Sequence, residues 1–469
     1  MSSFFGKGAC KPAGCPTKRA PDKWESARFR SIFLASSFSC SQTESTPAHL
    51  RVTQTVRRYT QNTFMHITIL ALGSRGDVQP YATLGNGLKS AGHQVRFITF
   101  ESFSTLVAEN GLDFHPIQGN PEALVANAGA DMLRLMRSFG SLAEGYARDL
   151  SAPHLGETDL IINQLPAGLY GFDLAEKYNV PMAQAAVIPL ARTQMFPLMG
   201  FPKLPLPGYN KATYYLGEQM AWQMFRPIIN RWRKQILNLR PLPITGYFRQ
   251  LGTRQIPIVN GFSHYVVPRP ADWNEHIHMT GYWFPENKHW QPPSDLLAFI
   301  KAGSPPVFIG FGSMPIKDPQ RITNVILEAL KQSGQRGILH IGWGGLGNQS
   351  LPDYVFKIDY APYNWLFPQM AMLIHHGGSG TTAHGLRSGI PSCIVPFVFD
   401  QFYWGERIAE LGVGPKPVPY KELTVERLRE AIRFGVGNPQ LRQKAVELGQ
   451  KIQAEHGIEN ALSIFEKML

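Results

Sequence analysis

The 469-residue sequence predicts an α/β protein of two doubly wound domains facing a cleft. Three observations predict it. Short apolar runs alternate with helical stretches in both halves of the chain. In each half one apolar run leads through a glycine-containing turn into a helix, first at Leu70–Pro80 and again at Ile374–Leu386. Between the halves lies a polar, proline-bearing stretch of the kind that joins domains, residues 286–294. The boundaries that follow are an extension over 1–64, a first domain over 65–285, the linker, a second domain over 295–455 and a closing segment over 456–469.

Composition fits two cores: hydrophobic residues make up 43% and charged residues 17%. No run approaches the ~18 apolar residues needed to span a bilayer, so the chain is expected to be soluble or peripheral. The net charge of +12 is uneven. Residues 1–64 hold ten Lys and Arg against Asp22, Glu25 and Glu44, which leaves +5 for everything after them. A mildly basic body gives no reason to invoke nucleic acid. Cys10, Cys15 and Cys40 fall in the same extension; Cys393, alone in the body, reads as a buried thiol in a strand, and nothing suggests a disulfide framework. The extension is Ser-, Thr- and Arg-rich without periodicity, so disorder is its default reading. A targeting peptide and a true start at Met65 are the other readings, and none gives it a catalytic part.

The first strand, His66–Leu72, ends in Gly73-Ser74-Arg75-Gly76-Asp77-Val78-Gln79-Pro80, and a helix follows with Tyr81, Leu84, Leu88 and Ala91 at 3–4 spacing. Asp77 stands at the helix start, where it serves either as an N-cap or as a carboxylate presented to the cleft. His93 reads as a C-terminal capping residue. Val95–Phe100, Asp159–Asn163 and Val180–Val187 are further strands, with a helix over Gly171–Tyr178.

From Ile188 to Pro243 prolines interrupt an apolar stretch containing Met195 and Phe196. Trp222, Phe225, Ile229 and Trp232 then recur near helical spacing among Arg226, Arg231, Arg233 and Lys234. Two readings stand: a core helix with a solvated face, or one wall of an apolar pocket whose lip meets a membrane. Met195, Phe196 and Trp222 are the candidate pocket residues.

The second domain opens with a short helix near Asp295 and the strand Pro306–Phe311, which delivers Gly312-Ser313-Met314 to the cleft edge. Strands Ile338–Ile341 and Val355–Ile358 follow. Met370–Ile374 leads into His375-His376-Gly377-Gly378-Ser379-Gly380-Thr381-Thr382, and a strand Ile394–Phe397 ends at Asp400-Gln401. A glycine turn feeding a helix collects backbone N–H groups and the positive helix end on one spot, which suits a phosphate. An acid beside an amide suits sugar hydroxyls. Leu441, Ala445, Leu448 and Ile452 mark the buried face of a late helix.

His-x-Gly-x-Ser-Gly-Thr, then Pro391-x-x-x-x-Pro396, then Asp400-Gln401, closely resembles the donor signature of nucleotide-sugar-dependent glycosyltransferases with two facing Rossmann-like domains, the GT-B type. The form Gly-Ser-Gly-Thr-Thr is similar to the branch holding sterol glucosyltransferases and bacterial antibiotic glycosyltransferases, as is Gly-Ser-Arg-Gly-Asp-Val-Gln-Pro in the first loop. Ala191-Arg192-Thr193-x-x-Phe196-Pro197 and Asn230-x-Trp232-Arg233-Lys234 also resemble the sterol enzymes. The resemblance implies Asp77 as general base. It implies His375, Gly378, Ser379, Gly380 and Thr381, with Ser313, at the diphosphate, and Asp400 and Gln401 at the sugar. It further implies that the last segment crosses back to the first domain. Plant small-molecule relatives carry a ribose-binding Glu where this chain has Ala383, so no ribose contact carries over; the ring that stacks on uracil would fall near Tyr360, while Trp365 could equally be packing.

The expected function is an inverting transfer of glucose from UDP-glucose to a sterol-like hydroxyl, giving a β-glucoside, in the cytoplasm or on a membrane surface. No cofactor is expected, and, with no Asp-x-Asp in the chain, no metal. The alternatives are a glycosyltransferase for a polyketide or other bulky natural product, a nucleotide-sugar-binding protein without transfer activity, and a sugar-nucleotide epimerase.

Overall fold

The computed structural model describes residues 64–119, 145, 149–150, 157–164, 169–285, 290–342 and 344–468. The expected extension, save Phe64, lies outside them, as do linker positions 286–289 and Trp343. Strands β1 (His66–Leu70), β2 (Gln94–Phe100), β3 (Asp113–Ile117), β4 (Leu160–Gln164), β5 (Met182–Ala186), β6 (Ile258–Asn260) and β7 (Ile277–Met279) form a parallel sheet in the order β3-β2-β1-β4-β5-β6-β7. Strands β8 (Val307–Gly310), β9 (Gly337–His340), β10 (Val355–Ile358), β11 (Met372–His375) and β12 (Ser392–Ile394) form a second, in the order β10-β9-β8-β11-β12. Every residue of β4 and β5 is buried, as in strands covered on both faces. Pro116 is tolerated in β3 because that strand is an edge. In each sheet the order turns once, between β1 and β4 and between β8 and β11. The chain diverges there to opposite faces, and the crevice left at the strands' carboxyl ends is where such sheets take ligands.

The helix Arg75–Ser90 follows β1 and buries Val78, Tyr81, Leu84 and Leu88 on the first sheet. The last helix, Gly457–Glu466, comes back to this core and places Ala461 and Phe465 in it. Gly87 makes the approach possible, since a Cβ there would run into Ile458. The preceding helix, Pro439–Gln453, buries Leu441, Ala445, Leu448 and Ile452. A further apolar cluster binds the two sheet systems together: Phe262, Val266, Trp273 and Tyr282 pack with Leu386, Trp404, Ile408 and Leu448. Ser263 Oγ reinforces it by donating to Glu455 at 2.8 Å.

Three expectations are corrected. The strand expected over 394–397 is β12, Ser392–Ile394; the chain leaves the sheet before Pro396, which has no N–H for a ladder. Asp400 and Gln401 therefore open the helix Asp400–Leu411 instead of ending a strand. The amphipathic stretch is the helix Tyr209–Trp232 with a π turn, Arg233–Leu237, and Arg233 is no surface cation: it is buried with its guanidinium on Asp173 and Glu176. The expected part of His93 in the helix end holds through its backbone, whose N–H donates to Leu88 C=O at 3.2 Å, while its ring is buried without a hydrogen-bond partner among the described residues. Cys393 is a buried thiol in β12, pushed up to about 12 by burial.

Candidate active site

A cavity of about 630 Å³ lies at the two crevices, walled on one side by Ser74–Asp77, Gln79 and Pro80 and on the other by loops of the second sheet. Its volume falls within the ~300–1,000 Å³ usual for small-molecule sites.

Asp77 is the third residue of its helix, and Ser74, not Asp77, is the N-cap. The backbone N–H and hydroxyl of Ser74 both donate to Asp77 Oδ2, each at 2.8 Å. Among the described residues no donor reaches Oδ1, so one oxygen is pinned and the other left to the cavity. Gly73 permits this: its φ is +142°, and a Cβ would lie 2.6 Å from Oδ2. Burial raises the Asp77 carboxyl, outweighing the Ser74 bonds that lower it.

Across the cavity the helix Ser379–Ser388 begins after Gly378 with no capping side chain and no acid in its first turn. Its first internal bond runs from Thr382 N–H to Gly378 C=O, which leaves the N–H groups of Ser379, Gly380 and Thr381 without helical partners. Gly378, Ser379, Gly380 and Thr381 all line the cavity, beside Gly312, Ser313 and Met314. The two histidines divide. His375 is withdrawn behind the loop, fully buried; its Nδ1 accepts from Gly377 N–H at 3.2 Å and its Nε2 has no partner. His376 is the one that lines the cavity. Burial pushes His375 down to about 3 and His376 to about 4, so both rings are neutral at neutral pH.

Asp400 also lines the cavity, and Trp404 Nε1 donates to its Oδ2 at 3.1 Å. Burial, and after it the charge of Asp77, pushes the Asp400 carboxyl up to about 7; the two acids sense each other across the cleft. Gln401 is only 4% exposed and largely spent on its own loop. Its Oε1 accepts from Phe397 N–H at 2.8 Å and Val398 N–H at 3.1 Å, and its Nε2 donates to Met314 Sδ at 3.2 Å. It braces the turn that presents Asp400, a turn in which Phe399 takes a φ of +48°.

Two aromatic rings that the motif reading did not assign, Tyr363 and His384, also line the cavity. Tyr363 stacks on Phe367 with ring centroids 4.2 Å apart, and its hydroxyl bonds Thr381. His384 lies edge-on to Phe284 and Tyr363, next to Ala383. Tyr360 lines the cavity half exposed, whereas Trp365 packs on Trp290 at 5.0 Å. His384 is the next residue after the missing Glu; that adjacency was the available signal.

The pocket residues expected around 195–222 fare differently. Trp222 is fully buried, with its indole N–H donating to Pro243 C=O at 3.1 Å and Gly246 pressed against its ring. It is core, because its spacing put it on the inner helix face with Ile229 and Trp232. Phe196 packs on Tyr403, Met195 is exposed, and neither is among the residues lining the cavity.

Known proteins give the arrangement its context. Residues 67–158 match the family described as glycosyltransferase family 28 N-terminal domain, and residues 337–462 match the erythromycin biosynthesis protein CIII-like C-terminal domain. A sterol 3-beta-glucosyltransferase of Arabidopsis thaliana is 37% identical over 428 residues, covering 86% of this chain and 68% of that one. One of Aspergillus oryzae is 34% identical over 427 residues, covering 85% of this chain but 30% of its own length. Among solved structures, the kitacinnamycin glycotransferase aligns with a TM-score of 0.66 at 19% identity, over 87% of this chain and 100% of the other. The glycosyltransferase VinC, solved with dTDP, aligns at 0.62 and 18% identity, over 86% and 99%. The two facing α/β domains are thus the fold those glycosyltransferases share.

Proposed function

Since this chain belongs to the glycosyltransferase family of the sterol 3-beta-glucosyltransferases, we propose that it moves glucose from UDP-glucose to the hydroxyl of a sterol-like lipid, with inversion, giving a β-glucoside. The observation that carries the reading is a carboxylate with one free oxygen, Asp77, sharing a cavity with an uncapped helix N-terminus, Gly378–Thr381. Asp77 takes the acceptor's proton as its oxygen attacks the anomeric carbon, and burial makes Asp77 a better base than an ordinary aspartate. The leaving diphosphate gathers charge at the N–H groups of Ser379, Gly380 and Thr381, which are already oriented before reaction. The neutral His376 contributes hydrogen bonding there and no net charge. Asp400 faces the sugar, and Tyr360, Tyr363 and His384 face the nucleoside. No metal or other cofactor enters the scheme.

The acceptor arrives from a lipid surface in this reading. Leu206, Leu216, Met220 and Ile244 are exposed around the Tyr209–Trp232 helix, apolar side chains of the sort that settle at a membrane interface. Among the described residues no helix is long and apolar enough to cross a membrane. The test is mass spectrometry after incubation with UDP-glucose and mixed sterols and polyketides. A hexose added to sterol, with the anomeric coupling of a β-glucoside, is expected; transfer to polyketides alone moves the acceptor to the other class, and no transfer at all overturns the reading.

A further inference from the structure

A diphosphate entering this cavity meets few positive charges. Among the described residues its lining holds three carboxylates, Asp77, Asp359 and Asp400, and one guanidinium, Arg75. His340, His376 and His384 line it too, but burial holds all three below the ordinary imidazole range, so they supply no cation at neutral pH.

Arg75 is in an unusual place for a cation. It is the first residue of the Arg75–Ser90 helix, at the positive end of that helix's dipole, where a positive side chain is disfavoured. It is exposed, and its recorded hydrogen bond is a long one, Nε to Gln79 Oε1 at 3.3 Å. Its guanidinium reaches across the cleft to the opposite wall, 6.0 Å from the centre of the Tyr360 ring. Its charge is felt by Tyr363, whose hydroxyl bonds Thr381 in the first turn of the uncapped helix. Among the described residues the one cation of the lining therefore comes from the first sheet's side and rests against the Tyr360–Tyr363 wall, which Tyr363 ties to Thr381 in the first turn of the uncapped helix.

We propose that Arg75 is a catalytic residue delivered from the opposite domain, which binds the sugar-bearing phosphate of the donor and carries charge as the nucleoside diphosphate leaves. This rests on the nucleotide-sugar reading above. The helix N-terminus then holds one side of the diphosphate through neutral N–H groups, and Arg75 supplies full charge from the other. A guanidinium suits the task because its planar fork pairs two phosphate oxygens at once. From its rest position over Tyr360 the exposed side chain swings toward the Ser379–Thr381 turn when the donor arrives.

Calorimetry with UDP and TDP against UMP and TMP, on wild type, Arg75→Gln and Arg75→Lys, tests the assignment. Arg75→Gln is expected to lose about 10–100-fold of diphosphate affinity, the worth of a charge-assisted contact, with monophosphate affinity unchanged. Its turnover should fall by about 10²-fold. Arg75→Lys should recover part of both, because the charge returns without the fork. Melting curves should coincide, given the exposure of the side chain. An Arg75→Gln variant that keeps the wild-type preference for diphosphate over monophosphate overturns the role of Arg75 and leaves the donor reading standing. A wild type that binds no nucleoside diphosphate overturns both.

Discussion

After β1 the chain enters its helix through Ser74, Arg75, Gly76 and Asp77; after β11 it does so through Gly378, Ser379, Gly380 and Thr381. N-cap corresponds to N-cap and third residue to third residue. In the first turn the third residue is a carboxylate that folds back on its own cap, so the positive helix end is neutralised from within. In the second no side chain caps, no acid is present, and three N–H groups are left facing the cavity. One turn thereby fixes a base, and the other keeps room for an anion. The difference teaches that a glycine turn at a switch point is an anion site only when its own sequence leaves the helix end unfilled.

The largest expected effect comes from removing the charge on the filled side. Asp77→Asn keeps an oxygen for the Ser74 donors, so its melting midpoint should stay within a few degrees, while turnover falls by about 10²–10⁴-fold. Turnover should not return as pH rises through neutrality, since an alcohol does not ionise there; a variant that melts normally and transfers sugar at the wild-type rate reduces Asp77 to the capping-box partner of Ser74. Next comes making the empty side resemble the full one. Thr381→Asp should cost about 10²-fold or more in UDP affinity, because like charges brought together cost several kcal/mol. The same change should stabilise the helix by about 0.3–1 kcal/mol. Titration with UDP beside a denaturant curve checks both, and unaltered UDP binding would place the diphosphate elsewhere.

A smaller loss is expected from Gln401→Ala. Phe397 and Val398 N–H lose their acceptor, at about 1–3 kcal/mol of stability, read as a lower urea midpoint. Turnover should drop with it, as the turn bearing Asp400 loosens; loss of sugar transfer at full stability would return Gln401 to the sugar. A further prediction concerns pH. Asp400 titrates near about 7 in the folded chain, against about 3.9 when unfolded. Between those values the folded state binds the extra proton, so the contribution of this group is complete below pH ~4 and is lost as pH rises through ~7. Asp400→Asn should flatten the fall in urea midpoint between about pH 4 and pH 7; an unchanged slope would assign that fall to other groups.

Much of the fold was legible because its signals are local. Apolar runs of strand length, glycines at the turns and the 3–4 spacing after Pro80 and Gly437 lie within a few residues of one another. The site was legible as two loops and less so as side chains. Which of His375 and His376 faces the cavity depends on where β11 stops, a matter of one residue. Gln401 spends its amide on Met314, 87 positions away, and no local pattern carries that pairing. Trp222 shows the same limit: aromatic residues at helical spacing mark a buried face, and a pocket wall and a core use the same residues. Arg75 sat inside a quoted motif unassigned, since its meaning lies in the charges opposite it.

The return of the helix Gly457–Glu466 to the first core has a consequence in time. The helix that carries Asp77 is backed by Ile458, Ala461, Leu462 and Phe465, which belong to the same core as β1 but are synthesised only after the whole second sheet. A nascent chain that has completed β7 at Met279 still lacks this support until the helix Gly457–Glu466 emerges, roughly 10–40 s later at ~5–20 residues per second. During that interval the first sheet presents an apolar groove to the ribosome and to any chaperone waiting there. Translation speed through the second half therefore bears on the yield of a half whose strands were finished long before.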